Sequence, residues 1–524
     1  MTHRPRSPVP DRRSPTRPRV PGSALATSKR EPVTVVHVSA EYFPYARTGG
    51  LAEAAANLAR FQSRHGIRTL AFLPLYRTAR ERAGPLVPVG DPFEVPLGAT
   101  QETVQVVTQR DPEPGAQVYF IQHDRFFDRP KLYGDSRGDF PDNHLRFGLF
   151  GLSAVMALPL VAAGPILVHA HDWHAALALT HLRTRFAEDD RYRQVATVLS
   201  VHNAGYQGHY PASTMAELGL PWELYNWRQL EWYGKLNLLK AGLVFADAVV
   251  TVSPNHATEL RTPEGGFGLH EVFSSLGDRF TGILNGIDIE AWAPDSDALI
   301  AERFSSSDLG GKVTCKRGLQ ERFGLRPDPR LPVFGMAARL VTQKGLDLVV
   351  GSYDLFSLDA QFVFIGAGEA RFETALRNIT QMIPGRVAID TNFTDALEHQ
   401  VMAGIDFLLM PCQYEPCGLT QMRAQRYGVA PIVRRVGGLA DTVEDGVTGI
   451  VFGPYEGEAL VGAGLRGIDC YYNPYEWSRM IRTAMARDFS WERSVDEYLD
   501  VYRRVVADME DGRMGRRRDE ESRG

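Results

Sequence analysis

The sequence predicts an α/β protein built from two Rossmann-like, doubly wound parallel-sheet domains. Three observations carry this. β-branched runs of strand length alternate with stretches whose apolar residues recur at helical spacing, glycine turns join several of them, and the series stops and restarts once. A chain of 524 residues has room for two such domains, each with its own core.

The first series opens with Val33-Thr34-Val35-Val36-His37-Val38 as a strand. The turn Tyr45 to Gly50 follows, then a helix from Leu51 to His65 with Gly66 as its stop. Arg68 to Pro74 is the next strand. The unit recurs at Ile166 to His169, at Ala196 to Val201 and at Ala248 to Val252, with helical stretches between. Residues 295–330 are polar, with Ser305-Ser306-Ser307 and Arg326-Pro327-Asp328-Pro329, and are expected to be a linker. The second series then runs through Val333–Met336, Gln361–Ile365, Val387–Ile389, Phe407–Met410 and Ala430–Val433. The expected division is a disordered basic tail at 1–32, a first domain at 33–294, the linker, a second domain at 331–475, a terminal helical segment at 476–507 and a charged tail at 508–524.

Charge and cysteine usage narrow the function. With 58 Lys and Arg against 63 Asp and Glu, the net charge of −5 argues against nucleic acid or an anionic membrane as main partner. That average conceals residues 1–32, which hold eight Arg or Lys, two acids and seven Pro. The remainder is therefore more acidic than the total suggests. The four cysteines do not form the two close pairs of a zinc site and fit a reduced, cytoplasmic setting. Phe147 to Val168 holds no charged residue and is long enough to cross a bilayer, but Pro159 and Gly164-Pro165 should break it. A buried helix, turn and strand in a soluble protein are expected instead.

Ligands of such sheets bind beyond the carboxyl ends of the strands, so two facing sheets imply a site in the cleft between them. The residues placed there are informative. Arg47-Thr48-Gly49-Gly50-Leu51 joins a strand to a helix, and its glycines allow close backbone approach to an anion. A tight turn with an exposed arginine is the plain alternative. His169, His171 and His174 invite a metal site, but a strand end and a helix start do not naturally converge all three, so polar residues lining a sugar pocket are expected. Asn203 and Gln207, in the loop after Val201, suit a hydroxyl-rich ligand. Arg339 and Lys344 could clamp a diphosphate, although a solvated surface loop fits the same spacing. Phe364 to Glu369 begins like a dinucleotide fingerprint, yet Arg371 stands in the third glycine's place. Glu415-Pro416-Cys417-Gly418-Leu419-Thr420-Gln421 sets a carboxylate ahead of a glycine turn and a helix start, where Gly418, Leu419 and Thr420 can offer backbone N–H groups to phosphate.

These segments, with Leu284–Asp288, Arg434–Asp441 and Asp488–Trp491, occur in an order that resembles the bacterial glycogen and plant starch synthases over about residues 33–505. The resemblance implies the two-domain GT-B fold, with an acceptor-side first domain, a nucleotide-sugar second domain and a final helix crossing back. It implies an ADP-glucose type hexosyltransferase that moves glucose with retention to the non-reducing end of an α-1,4-glucan, with no metal or other cofactor. Glu415, His171, Arg339 and Lys344 fall on the family's active-site positions. Arg47, Gly49, Gly50, Gly418, Leu419, Thr420 and Phe393 fall on the donor side, and Glu41, Asp142, Asn143, Asn203 and Gln207 on the acceptor side. The chain departs from the pattern in having Arg47 for lysine, Glu53 for aspartate and Phe393 for tyrosine. A glucosyltransferase with a small acceptor and a silent glucan-binding protein are the competing classes. The Glu415–Gln421 motif argues against the first, and the retention of Arg339, Lys344 and Glu415 against the second.

Overall fold

Runs of Val, Leu, Ile and Phe form strands that are buried on both faces, as parallel sheets covered by helices require. The structure is a computed structural model and describes residues 25–29, 31–112 and 115–512. The larger sheet runs Phe280–Gly282, Ala248–Thr251, Val195–Val201, Ile166–His171, Thr34–Val38, Thr69–Pro74, Gln117–Gln122, Thr100–Gln109 and Leu86–Pro88, with Phe93–Leu97 also paired to Thr100–Gln109. Its pairings are parallel as far as Gln117–Gln122 and antiparallel beyond. The second sheet is wholly parallel, in the order Val387–Asp390, Gln361–Ile365, Val333–Ala337, Phe407–Met410, Ala430–Arg434, Ile450–Phe452. Each has its own apolar core.

Several expectations need correction. The helix Asn143–Val161 runs through Pro159, which forfeits the bond to the Val155 carbonyl and is followed by only two more helical residues. It is long and apolar enough to cross a membrane, but 78% of its apolar window is buried inside the protein. The polar stretch 295–330 contains the helix Gly310–Arg322, which packs Cys315 and Leu319 into the second core. Its lysines disguise it. Lys312 is buried with Nζ on the carbonyls of Ala403 and Tyr427, at 3.1 and 2.9 Å, and Lys316 Nζ meets Asp406 at 2.7 Å.

The segment that crosses back begins later than residue 476. Pro474–Met485 stays with the second core through Met480, Ile481 and Met485. Trp491–Glu510 makes the crossing, and packs Val495, Tyr498, Leu499, Tyr502 and Val506 against Val35, Phe61, Leu167 and Val198. The expected tails at 1–32 and 508–524 are also drawn too long. Leu25 is 3% exposed in that same cluster, and Glu510 in the last helical turn accepts from Ser28 N and Oγ. Residues 1–24 and 513–524 lie outside the described residues.

Candidate functional site

The strand ends of the two sheets face one another, and the loops that follow them touch. Ser253 Oγ donates to Pro416 O at 2.8 Å, Asn255 N to Asp441 Oδ2 at 2.9 Å, and Gly437 N to Glu259 Oε1 at 2.8 Å. Val252 and Ile287 share a small apolar cluster with Cys417, Met422 and Phe489. Leu419 Cδ1 stands 3.8 Å from where a Cβ on Gly50 would lie, so the two glycine turns face each other directly.

The second domain's wall holds the charged residues singled out above. Lys344 lies in a short turn after Val333–Ala337, and its ammonium pairs with the Glu415 carboxylate. Burial works against that ammonium's charge, and Glu415 overcomes it and raises Lys344 above its ordinary value. Cys412 Sγ lies 3.7 Å from the same carboxylate. Arg339 is exposed and has no side-chain partner among the described residues. Glu415 is placed by its backbone: a Cβ on Gly437, whose φ is +43°, would sit 1.9 Å from Glu415 O. Gly418 has φ +70°, and the helix Thr420–Arg426 starts directly after Leu419. Phe393 is 40% exposed in the loop before Asp395.

On the first domain's wall, Glu41 is spent on the turn. Its carboxylate accepts from Thr48 N at 2.6 Å, Thr48 Oγ1 at 2.6 Å, Gly49 N at 3.3 Å and Tyr133 Oη at 2.8 Å. The Gly49-Gly50 turn thus carries its own internal anion, and Glu41 has little capacity left for a sugar. Arg47 lies 3.5 Å from Glu53 and 3.3 Å from Asp395 of the second domain. Glu53 also pairs with Arg423, which meets Glu398 at 3.0 Å. Behind this cluster is a cavity of about 350 Å³ between the domains; Lys344 and Glu415 do not line it.

Other acceptor-side residues divide by how much of each is still free. Asn143 donates to Tyr133 O at 2.8 Å and accepts from the buried Arg146 at 2.6 Å. Gln207 is likewise fully engaged, by Ala204 O, Phe267 O and Asn237. Asp142 takes a two-pronged contact from Arg129; burial pushes its carboxyl up, and Arg129 outweighs burial and holds it below its ordinary value. Asn203 is partly exposed, and its Oδ1 accepts from Gly205 N at 2.9 Å.

The histidines converge differently from the expectation. His169 and His171, two apart on one strand, share a face and stack at 4.4 Å, while His174 turns away onto Tyr133 and Trp173. His37, opposite His169 in register on the neighbouring strand, completes the group. The candidate ligand atoms of His37, His169 and His171 lie within 4.8 Å of one another. Every ring nitrogen of the three is nevertheless taken by a hydrogen bond to Gln62, Tyr502, Ser200, His202 or another member. His171 is fully buried with both nitrogens engaged, so its ring stands one hydrogen bond behind the cleft. His202, after Val201, is the partly exposed member.

Sequence patterns did not single out His37, Gln62 or Tyr502, and they marked His202 and Asp172 only as members of the polar segments Val201–Gly208 and His169–His174. Asp172 has φ +56°, rare for a residue with a side chain, and its Oδ1 accepts from His202 N at 2.6 Å. Burial pushes its carboxyl up to about 7, against the backbone donors of His202 and Asn203. The one available signal was that His37 and His202 each stand at or near the end of a predicted strand.

The starch synthase catalytic domain family matches residues 34–275, and the glycosyl transferases group 1 family matches residues 319–469. The glycogen synthase of Syntrophotalea carbinolica is 38% identical over 481 residues, covering 90% of this chain and 99% of its own. That of Thermodesulfovibrio yellowstonii is 37% identical over 488 residues, 90% of this chain and 98% of its own. Among solved structures, the catalytic domain of starch synthase IV from Arabidopsis thaliana, bound to ADP and acarbose, aligns with a TM-score of 0.83 at 31% identity, over 91% of this chain and 99% of that one. Sucrose-phosphate synthase from Thermosynechococcus elongatus aligns at 0.59 with 17% identity, over 91% of this chain and 99% of that one, a likeness of fold alone.

Proposed function

The chain belongs to the glycogen and starch synthase family of glycosyltransferases and has their GT-B fold, and we propose that it transfers glucose from ADP-glucose, with retention, to the non-reducing end of an α-1,4-glucan in the cytoplasm. One observation carries the chemistry: the Lys344–Glu415 pair lies near Arg339, which has no side-chain partner among the described residues, all following strand ends that face the other domain's glycine turn. Two cations at that place suit a diphosphate leaving group, and the backbone of Gly418, Leu419 and Thr420 adds donors. Glu415 would turn from Lys344 to the donor glucose, where its charge favours the positive character that develops at the anomeric carbon. The leaving diphosphate would take up the acceptor hydroxyl's proton, so no metal or other cofactor is needed. Asp142 and Asn203 are partly exposed and are the stronger acceptor-side candidates, while Glu41, Asn143 and Gln207 shape the wall behind them.

ADP bound in the related starch synthase structure supports the choice of donor. The test is direct. Purified protein with glycogen and ADP-glucose should release ADP and lengthen the glucan, and should prefer ADP-glucose over UDP-glucose in competition. No turnover with either donor would refute transfer, and preference for UDP-glucose would refute the donor.

A further inference from the structure

Side chains on four elements and on the loop after Val195–Val201 form one hydrogen-bond chain behind the cleft. Gln62, on the helix Gly50–Arg64, accepts from His37 Nε2 at 2.8 Å and donates to Tyr502 Oη at 2.9 Å. His37 Nδ1 meets His171 Nε2 at 2.9 Å, and His171 Nδ1 meets His202 Nε2 at 2.9 Å. Gln62, His37, His171 and Tyr502 are fully buried, and only His202 is partly exposed, in the loop whose Gly205 faces Tyr414 of the second domain.

A neutral imidazole has one N–H and one lone pair, so histidines joined nitrogen to nitrogen dictate one another's tautomers. Burial keeps the rings neutral, pushing His37 down to about 4 and His202 to about 3. With the Gln62 carbonyl on His37 Nε2, that nitrogen carries the hydrogen and His37 Nδ1 must accept. His171 then donates from Nε2 and accepts at Nδ1, and His202 donates from Nε2. The chain ends on a bare lone pair at His202 Nδ1, which has no hydrogen-bond partner among the described residues. The other branch agrees: Tyr502 receives from the Gln62 amide and donates to His169 Nδ1 at 2.6 Å, and His169 Nε2 donates to Ser200 at 2.7 Å. Turning the Gln62 amide over would reverse every donor and leave an N–H at His202 Nδ1. One amide therefore separates two states of the whole chain.

We propose that Gln62 is a positioning residue for sugar transfer: its carbonyl sets the tautomers of His37, His171 and His202 so that His202 Nδ1 offers an acceptor to a sugar hydroxyl in the cleft. This rests on the glucan-transfer function proposed above. The crossing helix takes part through Tyr502, whose hydroxyl receives the Gln62 amide and passes the chain on to His169.

The test uses the full chain labelled with ¹⁵N-histidine and free of ligand, with His202 assigned through His202→Gln. In the parent, His202 should carry its hydrogen on Nε2 with Nδ1 bare. Gln62→Met, which removes both polar ends at similar size, should mix the tautomers of His37, His171 and His202. It should lower kcat about tenfold, the scale of one lost hydrogen bond, with KM for the nucleotide sugar nearly unchanged. A hydrogen on His202 Nδ1 in the parent, unmoved tautomers in the variant, or moved tautomers with unchanged kcat would each overturn the proposal. Tyr502→Phe, which keeps the ring and Gln62, serves if Gln62→Met does not fold, and is expected to shift the same signals. A parent inactive in transfer would refute the transferase function and leave the tautomer result standing.

Discussion

Arg423 of the second domain bridges two carboxylates, Glu398 at 3.0 Å on its own domain and Glu53 across the cleft on the first. The two bonds are unequal in consequence. Glu398 is 4% exposed, whereas the Glu53 side chain is 20% exposed and can be hydrated. Arg423→Met leaves Glu398 buried without its cation and is expected to cost about 3 kcal/mol or more. Glu53→Gln should cost less than about 1 kcal/mol, since Arg423 keeps Glu398. Chemical denaturation of the two variants decides, and equal losses would contradict this division.

The Lys344–Glu415 pair predicts effects of opposite sign on binding and on turnover. A bound diphosphate must draw Lys344 from Glu415, so the pair competes with product in the free protein. Lys344→Ala should lower kcat about 10²- to 10³-fold, on the scale of one lost oxyanion donor. Glu415→Gln should also slow turnover severely, yet bind ADP more tightly than the parent because the lysine no longer has a carboxylate partner. Calorimetric titration with ADP settles the sign. Weaker binding by Glu415→Gln would show that the pair does not compete.

Acid stability follows from the buried histidines. His37 is pushed down to about 4, and His174, His181 and His202 each to about 3, all chiefly by burial. Their unfolded value is near 6.5, so below it the unfolded chain binds more protons, and folding stability falls with pH from about 6.5 until the folded values are reached. Asp172, raised to about 7 by burial, acts in the other direction, losing stability as pH rises from about 4 to 7. Asp441 and Glu497 are raised by burial too, but His169 and His171 join the four imidazoles, both held well below 6.5 by burial, so the acid limb should dominate. Tm measured across the range should hold near pH 7 to 8 and drop steeply below about 6. A Tm that rises on acidification from pH 6.5 to 5 would refute it.

Legibility depended on what each segment has to bury. Gln361–Ile365 and Phe407–Met410 sit inside a covered parallel sheet, so their apolar runs announce them without ambiguity. Thr100–Gln109 lies at the antiparallel margin, where exposed polar residues interrupt the pattern and hide it. Gly310–Arg322 escaped because two buried lysines made its core-facing side look polar. At the site, Arg339, Lys344, Glu415 and the glycine turns were legible because a strand end followed by charge or glycine is a local pattern. The Gln62–His37–His171–His202 chain includes a bond between residues 134 positions apart and has no local signature.

Leu25 tests the corrected N-terminal boundary. It stands alone among prolines and arginines, with no periodic neighbour to mark it, yet it is 3% exposed beside the crossing helix. Leu25→Ala should lower stability by about 2 kcal/mol, near the lower end for a buried leucine whose surroundings can partly collapse. Activity at low temperature should be unchanged. A Tm equal to the parent's would show that the segment adds nothing to the core.

Arg47 and Glu53 lie 3.5 Å apart. Arg47 is larger than a lysine and Glu53 than an aspartate, and each also reaches the second domain, Arg47 to Asp395 and Glu53 to Arg423. A shorter Glu53→Asp side chain would draw back from Arg423 as well as from Arg47. Arg47→Lys keeps the charge but loses the fork that lets one side chain meet two carboxylates. Once either contact is broken, breaking the other should cost little. The two substitutions are therefore expected to be non-additive, coupled by at least about 0.5 kcal/mol in kcat/KM for ADP-glucose. Additive losses in the double-mutant cycle would mean that the two residues act independently, one toward the donor and one toward the domain contact.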